Sequence, residues 1–178
     1  MSGLIAFIRF VDALNDRVGR ATAWLTLGTV LVCFAVVVLR YLFSIGFIWL
    51  QELYVWEHAI VFMVGAGYTF MQGGHVRVDI FYARMNRRRK AWVDLFGTLV
   101  FLLPWLAVIA YFGWSFVALS WQLLEPSQQA GGLPGYFLLK SVIFVFCALV
   151  GLQGLALAAR SLLVIAGREE FAPAPAGH

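Results

Sequence analysis

Apolar positions in this chain gather into four long runs, at about 21–41, 49–72, 92–119 and 134–164. Each supplies the roughly 20 apolar residues that a membrane-spanning helix needs, and the last two exceed it. Residues 1–20 follow a different rhythm. Leu4, Phe7, Val11, Leu14 and Val18 recur every three or four positions, while Arg9, Asp12, Asp16, Arg17 and Arg20 fall opposite. That spacing predicts an amphipathic N-terminal helix, lying in the cytoplasmic headgroup layer or docked on a partner. Between the first two runs, the segment from Phe43 to Ile48 is short enough for a tight hairpin, and Pro104 predicts a kink in the third run. The Pro/Ala-rich tail, 166–178, is expected to be disordered.

Composition turns this pattern into a class. The chain of 178 residues is 62% hydrophobic and 12% charged, with a mean hydropathy of +0.87. A soluble domain carries about 25% charged residues, so water cannot cover this chain as one globule. The first run is too long for the core of a secretory signal and no small-residue cleavage site follows, so it is read as a retained span. Cys33 and Cys147 both fall inside apolar runs, which gives no disulfide framework.

The net charge of +4 gains meaning from its placement. Arg9, Arg17 and Arg20 precede the first run. Arg77, Arg84, Arg87, Arg88, Arg89 and Lys90 lie between the second and third, and Arg160 and Arg168 close the fourth. Only Arg40 and Lys140 fall toward the other side. Cytoplasmic loops carry the excess of Lys and Arg, so the basic residues report topology and not nucleic-acid binding. The predicted fold is an all-α integral membrane protein of four transmembrane helices with N- and C-termini cytoplasmic. The membrane domain is expected over 21–165, after the amphipathic N-terminal helix.

The second run and its exit are the most informative stretch. On a helical wheel, Tyr54, Glu57, His58, Val61, Gly65, Tyr68 and Gln72 share one face, and Glu52, Trp49 and Trp56 point the other way. Small and polar residues in one stripe suit a buried seam between helices or a contact with a partner subunit, because glycine permits close approach and polar groups bond across. The alternative reading of Glu57 and His58 is a proton or ion relay, for which one carboxylate–imidazole pair without further acidic residues along a path is poorly equipped. Lys140, Cys147, Gly151, Gly154 and Ala158 make a similar stripe in the fourth run. Arg40 and Glu52, at the facing ends of the first two spans, are expected to pair across the hairpin.

Several chemistries are excluded. There is no GxxxxGK[ST] phosphate loop, no Cys/His cluster with metal spacing and no nucleophile elbow. A membrane haem needs facing axial ligands, and only His58 lies well inside a run. No ring of polar positions over several spans marks a substrate path. The chain is expected to be an accessory subunit, not an enzyme, with no cofactor.

At this point the motifs become specific. WxxELYxW (Trp49–Trp56) leads into a glycine-containing helix and then GGHVRVD (Gly73–Asp79). SWQLLEPSQQAGGLPGYFLLKS (Ser120–Ser141) and LVGLQGLALAAR (Leu149–Arg160) follow in order. Together they resemble the small permease subunit, DctQ-like, of tripartite ATP-independent periplasmic (TRAP) transporters, over about residues 10–165. The GGLPGYFLLKS form resembles the branch associated with 2-oxo acids, mannitol and chloroaromatic compounds. The resemblance implies a bacterial inner-membrane protein beside a large permease subunit that holds the substrate and sodium sites. It also implies a periplasmic substrate-binding protein that delivers a carboxylate. Arg40, Glu52, His75, Arg77 and Asp79 are the polar residues of these motifs.

The outer segment Glu125–Tyr136 would then face the binding protein, with Glu125, Ser127 and Pro134 as docking residues or, alternatively, as parts of a locally paired connection. Two other readings remain open from the residues: a membrane anchor subunit of a respiratory dehydrogenase, and a free-standing small transporter. Membrane lipids are expected to meet the basic loop Arg84–Lys90.

Overall fold

The computed structural model describes residues 2–75, 82 and 84–171, and every regular element among them is helical. Four long helices carry the fold: α1 (Ser2–Leu42), α2 (Ile48–Met71), α3 (Arg87–Gln122) and α4 (Tyr136–Ile165). α1, α3 and α4 are each long and apolar enough to cross a membrane. α2, at 24 residues, has the length, but its carboxylates and imidazole leave it outside that apolar set.

The segment expected to form its own helix before residue 20 continues unbroken into the first apolar run. α1 has 41 residues and a length of about 60 Å. The physical reason lies in its buried face. Ile8, Val11, Asn15, Gly19 and Thr22 form one stripe that passes straight through the expected boundary. Its N-terminal turns pack Ile8 against Ala159 and Leu163 of α4, with Leu4, Ile5 and Phe171 around them. Phe171 belongs to a short 3-10 turn, Glu169–Phe171, so the first part of the expected disordered tail is ordered; residues 172–178 lie outside the described residues.

α2 turns back along α1. The turn glycine of GGHVRVD ends it: Gly73 stands at φ 69°, Gly73 N–H donates to Phe70 C=O (3.1 Å) and Gly74 N–H to Thr69 C=O (2.9 Å). This is a Schellman ending, which glycine adopts without the Cβ clash that other residues meet there. α3 begins at Asn86, whose side chain accepts from Arg89 N–H at 2.9 Å.

Just before Pro104, where a kink is expected, the helix forms a π-helical turn over Thr98–Leu102, in which Leu103 N–H reaches back to Thr98 C=O. Proline lacks an N–H and its ring crowds the carbonyl four residues earlier, so the helix widens just before it. Gly154 of α4 lies opposite. A Cβ there would stand 2.7 Å from Leu102 Cδ2 and 3.4 Å from Thr98 Cγ2.

α4 is the centre of the bundle and touches each of the other three helices. In its most apolar window 39% of residues are buried, against 6% for α1, whose outward side is apolar and open. Water would not tolerate that surface, whereas lipid or another membrane protein would.

Candidate functional site

The polar side chains of the bundle gather in two places, one at each end. At the end where α1 meets α2 and α3 meets α4, the loop 123–135 folds over the start of α2. Glu52 is its anchor: one carboxylate oxygen accepts from Leu133 N–H at 2.7 Å and the other from the Ser127 hydroxyl. The loop closes on itself through Ser127 N–H to Leu133 C=O (3.2 Å) and Gly132 N–H to Gln129 C=O (3.0 Å). Gly132 is required by the approach of the carboxylate, since a Cβ there would sit 2.6 Å from Glu52 Oε2. Gly135, at φ 97°, then turns the chain into α4.

Beside this anchor, Glu125 accepts from Lys140 Nζ at 2.5 Å and from the Ser120 hydroxyl at 2.6 Å. Lys140 also lies 4.0 Å from the centre of the Phe116 ring. The Lys140 and Ser120 hydrogen bonds hold the Glu125 carboxyl below its ordinary range, against a smaller opposing effect of burial. The local pairing of Glu125 is thus complete, while Gln128, Gln129 and Pro134 of the same loop are exposed. Arg40 is exposed at the last turn of α1 and makes no ion pair among the described residues. The pairing expected between Arg40 and Glu52 is therefore not formed, because the loop amide and hydroxyl occupy the Glu52 carboxylate.

The other end holds a network that sequence reasoning missed. Arg160 of α4 pairs with Asp12 of α1, Gln153 Nε2 donates to Asp12 Oδ1 (3.3 Å), and Asn15 Nδ2 donates to Gln153 Oε1 (2.9 Å). Asn15 and Gln153 are 0% and 2% exposed. Gly67 of α2 closes the junction, pressed between Asn15 and Leu149. A signal was present: Asn15 interrupts an apolar stripe, and Gln153 is isolated in an apolar run. Two such residues bond best to one another.

Between the ends, α1 and α2 meet along a seam of small residues. Gly28 faces Glu57, Thr22 faces Gly65, and Gly19 faces Tyr68. Three of the seven residues predicted on one face thus lie on this internal seam. Tyr54 and Val61 are half-buried, while His58 and Gln72 are exposed. Glu57 and His58, expected together, are separated by the 100° turn between neighbours in a helix. Glu57 faces α1, where its Oε2 is buried without a hydrogen-bond partner. His58 faces outward. Glu52 and Trp56 face α4, and Trp56 meets the Tyr136 ring edge to face at 5.7 Å between centres. His75 is exposed with its ring 5.8 Å from that of Phe70; Arg77 and Asp79 lie outside the described residues.

This arrangement defines a small helical membrane protein whose polar groups chiefly join its own helices. The family model for the DctQ component of tripartite ATP-independent periplasmic transporters matches residues 29–164. The chain belongs to that family and is a TRAP transporter small subunit. The comparisons with curated proteins and with solved structures gave no match.

Proposed function

We propose that the chain crosses the bacterial inner membrane four times, with both termini in the cytoplasm, and scaffolds a large permease. That permease would hold the sodium and substrate sites, and a periplasmic binding protein would deliver an organic acid. The observation that carries the scaffold reading is the use of the polar side chains. Glu52, Glu125, Lys140, Asp12, Arg160 and Gln153 are occupied in holding helices and a loop together. Few are left to line a path for a charged solute.

Four crossings are supported by the pairing of α2 with α1. From Glu57 beside Gly28 to Gly67 beside Asn15, the two helices run antiparallel through the same depth. A spanning α1 therefore carries α2 across with it, and packing against α1 and α4 shelters the carboxylates that lower its hydropathy.

The 123–135 loop would face the binding protein, offering the neutral amides of Gln128 and Gln129 and the exposed Pro134. Glu125 and Ser127 would serve by fixing the loop's shape. The exposed Arg87, Arg88 and Arg89 would meet anionic headgroups, at about 1 kcal/mol each.

The test is reconstitution. Liposomes with the large permease, this chain and the binding protein should take up a carboxylate only under an inward sodium gradient. Omitting this chain should abolish uptake, and the chain alone should carry nothing. Uptake by the chain alone would overturn the scaffold reading.

A further inference from the structure

α2 has three faces, and only two are occupied. The Glu57–Tyr68 face meets α1, and the Glu52–Gly67 face meets α4 and its loop. The third carries Val55, His58 and Phe62, spaced as one helical stripe; Val55 is 50% and Phe62 70% exposed, and His58 is exposed. Beside that stripe, Ala59 and Met63 of α2 and Leu139, Lys140, Val142 and Ile143 of α4 line a mostly apolar cleft of about 210 Å³.

His58 makes this face unlike the other lateral surfaces. It stands six residues below Glu52, about 9 Å deeper along the helix. At that depth lipid chains offer an imidazole no hydrogen-bond partner. The outward positions of α1 over 21–39 and of α3 over 99–119 bear no charged or imidazole side chain among the described residues. Lipid suits those two surfaces. On α2 it would leave a polar donor and acceptor unsatisfied beside a mostly apolar cleft.

We propose that the Val55–His58–Phe62 stripe and the adjoining cleft seat a membrane helix of the large permease. The inference rests on the subunit reading above. That helix sets a hydrogen-bonding side chain opposite His58 and an aliphatic side chain into the cleft between α2 and α4. Polar groups placed across a helix pair in lipid supply both attraction and register. The rest of the patch provides the complementary shape.

Photo-crosslinking with co-purification tests the seat. Benzoylphenylalanine replacing Phe62, in membranes that also contain the large permease, should yield an adduct of the two subunits. The same probe at Phe112, 70% exposed on α3, should yield none. His58→Leu should weaken co-purification of the permease by about tenfold, and His58→Gln, which keeps the hydrogen bonding, should restore most of it. An adduct from position 112 and not 62, an adduct with a second copy of this chain, or wild-type recovery with His58→Leu each overturns the seat. Should wild-type chain fail to co-purify with the permease at all, the subunit reading falls and the seat with it. Wild-type recovery with an inert position 62 sinks the seat alone.

Discussion

Gly19 of α1 backs directly onto the ring of Tyr68 in α2: a Cβ on Gly19 would lie 2.5 Å from both Tyr68 Cβ and Cδ2. The Tyr68 Cβ is fixed by the backbone and cannot swing aside with the ring. Gly154 differs. Its nearest neighbour is the end of the Leu102 side chain, which can rotate away.

Gly19→Ala should therefore destabilise the bundle by about 1–3 kcal/mol, and Gly154→Ala by less. Steric-trap or thermal unfolding in detergent measures both. Adding Tyr68→Ala should make the Gly19→Ala cost shrink, since the pair shares one contact. Equal costs for the two glycine variants would contradict the packing described.

How much of this was written in the sequence differs from place to place. The helical runs and their turn signals were legible because apolar periodicity and glycine punctuation act locally. Gly65 and Tyr68 could be assigned to a seam for the same reason. The side to which His58 turns was not legible, because a wheel gives relative directions and says nothing about where neighbours stand. The Asp12–Arg160 and Asn15–Gln153 contacts join residues 148 and 138 positions apart, so no local pattern announces them. The fusion of the expected amphipathic helix over 1–20 with the first apolar run was not legible for a related reason. The charges there suggested a surface helix, while the tertiary contact with the end of α4 lets α1 run on.

Glu52 gives a prediction about order in the 123–135 loop. Glu52→Ala removes the acceptor for both Leu133 N–H and the Ser127 hydroxyl. An unsatisfied, partly buried group costs about 1–3 kcal/mol. Amide exchange at Leu133 should rise by roughly tenfold or more, while exchange in the middle of α4 stays as it was. Unchanged exchange at Leu133 would mean that the loop holds its shape without the carboxylate.

Glu125 predicts a pH effect. Its carboxyl sits below the ordinary value of 4.5 because of Lys140 and then Ser120. In the interval between the folded and unfolded values the unfolded chain binds more protons, so stability falls as pH falls through it. The stability difference between wild type and Glu125→Gln should be constant from neutral pH down to the ordinary carboxylate range. Below that it should shrink as Glu125 takes up its proton. A difference that grows on acidification would reverse the sign argued here. Detergent-solubilised unfolding midpoints across that range measure it.

Topology is read with single cysteines after Cys33 and Cys147 are replaced. An impermeant thiol reagent added to intact cells should label a cysteine at Gln128 and spare ones at Gly3 and Arg88. All three positions are exposed on the chain itself, so reagent access reports the side of the membrane. Labelling at Gly3 together with protection at Gln128 would invert the orientation; labelling at both Gly3 and Gln128 would break the four-crossing arrangement.

The two cations of α4 set one further property. Lys140, paired with Glu125, and Arg160, paired with Asp12, are twenty residues apart on one continuous helix. At 1.5 Å per residue that is about 30 Å, the thickness of a bilayer's hydrocarbon layer. Each cation is tied to a carboxylate of another segment, so neither is free to reach along the helix and adjust that height. The bundle acts as a gauge. In a bilayer a few ångströms thicker or thinner, the lipid must deform or the whole unit must tilt, because its polar boundaries are bonded in place.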